Sequence, residues 1–423
     1  MKSKLIFLLL SAAIFWSCGN HTADKTTITF WAIGAEGEQV SKLIPEFERQ
    51  NPGIKVRVQQ IPWTAAHEKL ITAFASETLP DVFQVGNTWV PEFEALGTVE
   101  PLDDYLMKSG VIRDTSFFEG ILSTNEIDGK IYGIPWYVDT RVLFYRTDVI
   151  EKAGYSSPPK TWNELYDLSK KIKAQNPENY AFFLPTNEWL PFILFGIQNG
   201  SALLKNNDSY GDFSGKPFRE AFEYLAKYYY DGLAPKDMQA VMNIYQAFTE
   251  AYFSMLITGP WNVTEMKNRL PAQMQNKWMT APLPSPDSVY PGYSLAGGSS
   301  IVINKNSGKK NLAWKFIEFL SSHEIQYRFY NQVSALPSVK SVWDEPALKN
   351  DKYMQAFYVQ LNRTKATPKI PEWEQIVFAK IQQYAEFVAA KKLTVEEALK
   401  ELDSDTDKIL EKRRWILEKE GKL

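Results

Sequence analysis

Cysteine is nearly missing from the 423-residue sequence; Cys18 stands alone. One cysteine excludes an internal disulfide. With only three scattered histidines, His21, His67 and His323, there is no Cys/His set of the kind that holds zinc. No Gly-x-Ser-x-Gly elbow and no phosphate-binding Gly-rich loop ending in Lys-Ser/Thr occurs, so neither a metal nor a cofactor is expected. Neither sign of charge dominates: 47 Lys and Arg stand against 50 Asp and Glu, a formal net charge of −3. No basic stripe forms, which argues against a nucleic-acid partner. Long apolar runs are lacking too. The segment Trp189 to Ile197 is far short of a membrane span, and the run Leu5 to Trp16 also falls below the roughly 20 residues a spanning helix needs.

What the amino end does carry is an export pattern. Lys2 and Lys4 precede the apolar run, and Ser17-Cys18-Gly19 follows it, as in a secretory leader of residues 1–17. Phe15-Trp16-Ser17-Cys18 resembles a bacterial lipobox, with Phe15 where Leu is usual. The resemblance implies lipidation of Cys18, a tether over residues 18–26, and a periplasmic or cell-surface protein held to a membrane. Without the leader the charge balance is two units more acidic, because Lys2 and Lys4 go with it.

The remaining chain of about 400 residues exceeds one hydrophobic core and implies two domains. Thr27 to Ala32 reads as a strand, and Val40, Leu43, Ile44 and Phe47 follow at helical spacing. Ile54, Val56 and Val58 alternate with polar residues as a half-buried strand; a helix covers about 65–76, and Asp81 to Val85 is the next strand. Alternating strands and helices predict an α/β fold with largely parallel sheets, which bind ligands beyond the carboxyl ends of their strands. A second block opens with Gly133 to Tyr145, read as a turn and a long strand. Thr161 with Glu164, and Thr394 with Glu397, form capping boxes. Met255 to Thr258 is a short strand stopped by Gly259-Pro260, and the Pro-, Ser- and Gly-rich residues 280–300 read as a crossover or hinge.

Eight pieces in fixed order resemble family 1 of the extracellular solute-binding proteins, which includes maltose-binding protein. Among them are TFWAIGAEGE, FERQNPGIKV, GIPWYVDTRVLFYR, ITGPWN, AGGSSIVI and AWKFIEFL. The resemblance runs from about residue 27 to about 400. It implies a two-lobed type II periplasmic-binding-protein fold, with mixed, mostly parallel sheets flanked by helices and a ligand cleft between the lobes. Lobe 1 would comprise 27–136 plus 284–335, and lobe 2 137–283 plus 336–423. Three crossings are implied, near Pro135 to Thr140, Thr280 to Pro284, and Ser334 to Ser338. The implied function is that of a monomeric, non-catalytic component of an ABC importer, which captures a sugar, closes over it and docks on membrane permease subunits.

A sugar presents an apolar C–H face and a rim of hydroxyls. Aromatic plates suit the first; carboxylates, amides and guanidinium groups suit the second, because every hydrogen bond taken from water must be replaced. The chain has the plates: 13 Trp, 21 Tyr and 25 Phe. Trp261 matches the family's Gly-Pro-Trp, whose Trp stacks on sugar, and Trp373 is implied to begin a helix facing the cleft. Trp136, Tyr137, Asp139 and Arg141 lie on the first implied crossing; along an extended segment Tyr137, Asp139 and Arg141 share a side. Asp139 matches a sugar-binding carboxylate, although an Asp139–Arg141 pair that fixes the hinge is an equal reading for Arg141. Glu36 matches a charged ligand contact, and Trp63, Asn87 and Trp89 follow the next strands, Trp89 being equally suited as a lid over core. Gly298, with Gly297, lets backbone approach the cleft. Trp31, Trp162 and Trp314 are assigned to core. Two other readings stay open: the same fold with a glycerol phosphate, amino acid or peptide as ligand, and a secreted glycoside hydrolase using Asp139 and Glu36.

Overall fold

A computed structural model describes residues 26–236, 241, 243–287 and 289–423. The expected leader, Cys18 and all of the tether but Thr26 lie outside the described residues. Two sheets organise the chain. The first has six strands in the order Leu336–Pro337, Ile134–Asp139, Gly297–Ile303, Val82–Gly86, Thr27–Ile33 and Lys55–Ile61. The second has four, in the order Trp278–Ala281, Val142–Arg146, Met255–Thr258 and Phe182–Phe183.

Parallel pairing is confined to the strand–helix–strand start of the first sheet and to one ladder of the second. The other ladders of these two sheets are antiparallel, so parallel strands dominate less than the sequence pattern predicts. The reason is the route of the chain. A strand reached through a helix re-enters the sheet from the same end, whereas Gly297–Ile303 comes from the other lobe and enters at the cleft edge.

One large core runs from the first sheet to one face of the second, and a second core packs on the other face of the second sheet. In the first lobe, Phe316 on the Lys310–Leu320 helix meets Phe30 at 5.3 Å and Phe47 at 5.1 Å, both edge-on. Each fully buried ring contributes roughly 1.5–3 kcal/mol by leaving water. In the second, Trp162 opens the Trp162–Gln175 helix, stacks on Tyr224 at 4.7 Å and donates its indole N–H to Gln198. Trp162 and Trp314 are buried, as the helical spacing predicts, while Trp31 is only partly covered. Thr161 Oγ1 accepts from Glu164 N at 3.1 Å, but the Glu164 carboxylate returns to Lys160 N, so this box is incomplete. The Thr394–Glu397 box is complete.

The passages between sheets differ in place from those expected. Ile134–Asp139 stays in the first sheet to its end, and the chain changes sheet at Thr140 and Arg141, after the expected boundary at 136/137. The second passage falls at Leu295 to Gly297 rather than Thr280 to Pro284. Residues after Ala281 are still tied to the second lobe: Ser285 N donates to Lys160 O and Leu283 N to Gln360 Oε1. Leu336–Pro337 is an edge of the first sheet, not the start of the second lobe, because it pairs with Tyr137 and Val138. The first two passages run side by side. Thr140 Oγ1 donates to Leu295 O at 3.0 Å, and Ser294 Oγ accepts from Arg141 N at 3.1 Å and donates to Arg141 O at 3.0 Å.

Candidate functional site

The three parallel strands of the first sheet end at one edge, where each passes into a helix or turn. Ile33 leads into the helix Gly34–Val40, Pro62 caps Trp63–Ala75, and Gly86 precedes the turn Asn87–Trp89. These starts deliver Glu36, Trp63, Asn87 and Trp89 to that edge. Gly34 makes the convergence possible: at φ +70° it adopts a conformation that favours glycine, and a Cβ there would lie 2.7 Å from Glu36 Oε2 and 2.6 Å from Trp63 Nε1.

Across the passage between lobes, a cavity of about 250 Å³ is lined by Glu36, Tyr137 and Asp139 from the first lobe and Trp261 and Glu265 from the second, with Ser334 at its rim. Residue alternation along Ile134–Asp139 puts Tyr137 and Asp139 on this side. Trp136, on the opposite face, is 1 % exposed and stacks on Phe329 at 4.9 Å. Trp136 is therefore core rather than a ligand contact. The same correction applies to Trp373. It opens the Trp373–Ile376 helix, yet its side chain is 1 % exposed and sits in the second lobe's core.

Trp261 is the exposed plate. It begins the helix Trp261–Arg269 directly after Gly259-Pro260 and is 46 % exposed. Its six-membered ring lies against Gly259, where an added Cβ would come within 2.2 Å of Cζ3. The Arg141 guanidinium stands over the ring at 4.6 Å while its Nη1 donates to Asp139 Oδ1 at 2.6 Å. Arg141 is thus held on two sides. Gly297 lies close beneath the Asp139 carboxylate, and Gly298, at φ +121°, would place a Cβ 2.3 Å from Tyr137 O. The close approach at Gly298 is therefore to the neighbouring strand.

Behind this surface a buried amide fixes the floor. Gln84 accepts from Ile33 N at 2.7 Å and donates to Tyr137 Oη at 3.1 Å and Ser299 Oγ at 2.8 Å. Burial pushes the Tyr137 hydroxyl well above its ordinary pKa, so it remains a neutral donor and acceptor. Asn87 is 5 % exposed and donates to Ala296 O at 3.0 Å, which positions the second passage. Trp63 is 41 % exposed and meets Trp89 edge-on at 5.8 Å; Trp89 also covers Gly86 and meets His67. Trp63 is the open plate of this pair and Trp89 its partly covered support.

Sequence reasoning missed Glu188, Glu265 and Glu374. Glu188 is open to solvent but close enough to Arg141 for that cation to pull its pKa down against the larger upward push of the surrounding protein. Glu374 follows the buried Trp373 and is raised by burial. It accepts a hydrogen bond from Thr88 of the opposite lobe, and His67 stabilises its charge. A larger depression of about 700 Å³ lies on the outer face of the first lobe, beside Asp104, Lys108 and Glu318. Its Trp314 is buried and its Tyr105 only partly exposed, and of the two only the smaller cavity is lined by both lobes. Among the described residues no cluster of three or more His, Cys, Asp or Glu could hold a metal ion, and no helix is long and apolar enough to cross a membrane.

Residues 31–327 match the pattern of the bacterial extracellular solute-binding proteins. The chain belongs to that family. The crystal structure of the sugar-binding protein MalE from Xanthomonas citri is 46 % identical, covers 93 % of this chain and 99 % of its own, and superposes with a TM-score of 0.90. An ABC-transporter solute-binding protein from Thermotoga lettingae, bound with α-D-tagatose, is 27 % identical over 91 % of this chain and 100 % of its own, with a TM-score of 0.74. The diacetylchitobiose-binding protein DasA of Streptomyces coelicolor is 26 % identical over 89 % of this chain and 91 % of its own. The fold is the two-lobed type II arrangement of these binding proteins, and the family serves solute capture rather than catalysis.

Proposed function

We propose that this protein is the extracytoplasmic sugar-capturing component of an ABC importer, and that its lobes close over the ligand at the Trp261 cavity. The observation that carries the reading is one exposed indole, Trp261, facing the carboxylates Glu36 and Asp139 across a cavity walled by both lobes. The indole supplies the apolar plate a sugar's C–H face requires, and carboxylates bond pairs of hydroxyls. Relatives named for saccharides support the sugar assignment. Trp261, Asp139, Tyr137, Glu36, Trp63 and Arg141 are the assigned contacts, with Asn87, Trp89 and Gly298 as their supports.

The lobes divide as 27–139 with 297–337, and 142–295 with the region after about 350. Lipidation at Cys18 would tether the protein as a monomer beside its permease. The hydrolase alternative is disfavoured by the Asp139–Arg141 ion pair, which takes one of its two acids out of free use. Calorimetry and thermal shift against mono- to oligosaccharides test the reading: one class should bind and raise the melting temperature. Small-angle scattering should then show compaction at saturation. No response across the panel would refute it.

A further inference from the structure

The charges around the cavity are unbalanced in a way that constrains the ligand beyond "sugar". Three carboxylates, Glu36, Asp139 and Glu265, line its wall, and a fourth, Glu188, interacts electrostatically with Arg141 beside it. Two are paired, Asp139 with Arg141 and Glu265 with Arg269. Among the described residues Glu36 and Glu188 have no ion-pair partner. Arg141, the cation beside the cavity, has its charge offset by Asp139 and its face on Trp261.

We infer that the cleft excludes anions, that its ligand is an uncharged saccharide, and that Asp139 enforces this by holding Arg141. The inference rests on the sugar-binding reading and narrows it. A carboxylate or phosphate on the ligand would need a cation whose charge is not already offset, and would meet unpaired Glu36 and Glu188 instead. Closure would sharpen the exclusion, because expelling water strengthens repulsion between like charges. Burial already raises the Glu36 carboxyl, so this wall tolerates added negative charge poorly.

The test is calorimetry at low salt with matched pairs: a neutral disaccharide that binds, and its uronic acid counterpart of the same linkage, with glucose 6-phosphate as a further probe. The neutral member should bind at least tenfold tighter, and the ratio should shrink as ionic strength rises. Asp139→Asn frees Arg141 and should reduce the ratio at least threefold, through tighter binding of the anionic member. Glu188→Gln, at an exposed site that leaves folding intact, should reduce it in the same direction. If the anionic member binds as well as the neutral one, the inference fails and the sugar-binding reading stands. If the ratio survives both substitutions, the role given to Asp139 fails. If no neutral saccharide binds, both readings fail.

Discussion

Gly259 should be worth as much to binding as the tryptophan it supports, although it would touch no ligand. An alanine there puts a methyl 2.2 Å from Trp261 Cζ3 and 2.3 Å from Cη2. Carbon atoms in contact keep roughly 3.5–4.0 Å, so the ring must retreat by about 1.3–1.8 Å. It has room, being half exposed, and the fold should lose no more than about 1 kcal/mol. The retreat takes the plate out of register with the cavity floor. One plate hides on the order of 50–100 Å² of sugar, or about 1–2.5 kcal/mol, so Gly259→Ala should raise Kd about 5- to 70-fold. Trp261→Ala should do the same. In the double variant the glycine change should add less than about 0.3 kcal/mol, because the two substitutions remove one interaction. Calorimetry on the four proteins measures the cycle. Wild-type affinity in Gly259→Ala, or full additivity in the double variant, would refute the placement of the ring.

Other predictions follow from the buried layer. Gln84→Leu leaves Ile33 N without its partner and removes one hydrogen bond each from Tyr137 Oη and Ser299 Oγ, which still donates to Val85 O, and should cost roughly 1–3 kcal/mol in urea unfolding; a loss under about 0.5 kcal/mol would show that the amide is dispensable. Trp373→Ala should destabilise by about 3–5 kcal/mol, whereas Trp261→Ala should shift stability by no more than about 0.5 kcal/mol; the reverse order would undo the core assignment of Trp373. The hydrogen bond that the protonated His67 ring donates to the Glu92 carboxylate raises the His67 pKa above 6.5, so its stabilisation is complete below pH 6.5 and fades as pH climbs through the higher folded-state value. The melting-temperature gap between wild type and His67→Gln should therefore be widest below pH 6.5 and narrow as the pH rises beyond it; a gap that widens with pH contradicts the pairing.

Legibility in the sequence followed the range of the interactions involved. The strand Met255–Thr258 and its stop at Gly259-Pro260 are decided by neighbours in sequence, and both were readable, as was the full Thr394 capping box. Trp136 and Trp373 were misread because their burial is set by distant residues: Phe329 for one, and for the other the core of the second lobe. Composition identified residues 280–300 as turn-rich but not the lobe they belong to, which hydrogen bonds to Lys160 and Gln360 decide. Glu188 and Glu374 carry no pattern of their own. Gln84 did leave a trace, an amide amid Val82, Phe83 and Val85 in a strand buried on both faces. A polar residue in such a strand must have partners waiting for it.

The two tied segments, Thr140–Arg141 and Ser294–Leu295, amount to an axle. A rotation about them would keep Asp139 with the first sheet and carry Trp261 and Glu265 with the second. A ligand would therefore meet Asp139 in the same place whether the jaws are open or shut, and would feel the indole fully only at the end of the stroke. Contacts near the axle govern whether an encounter takes hold; those at the end of the lever govern how long it lasts. Substitutions at Asp139 should then appear chiefly in the association rate and those at Trp261 chiefly in the dissociation rate.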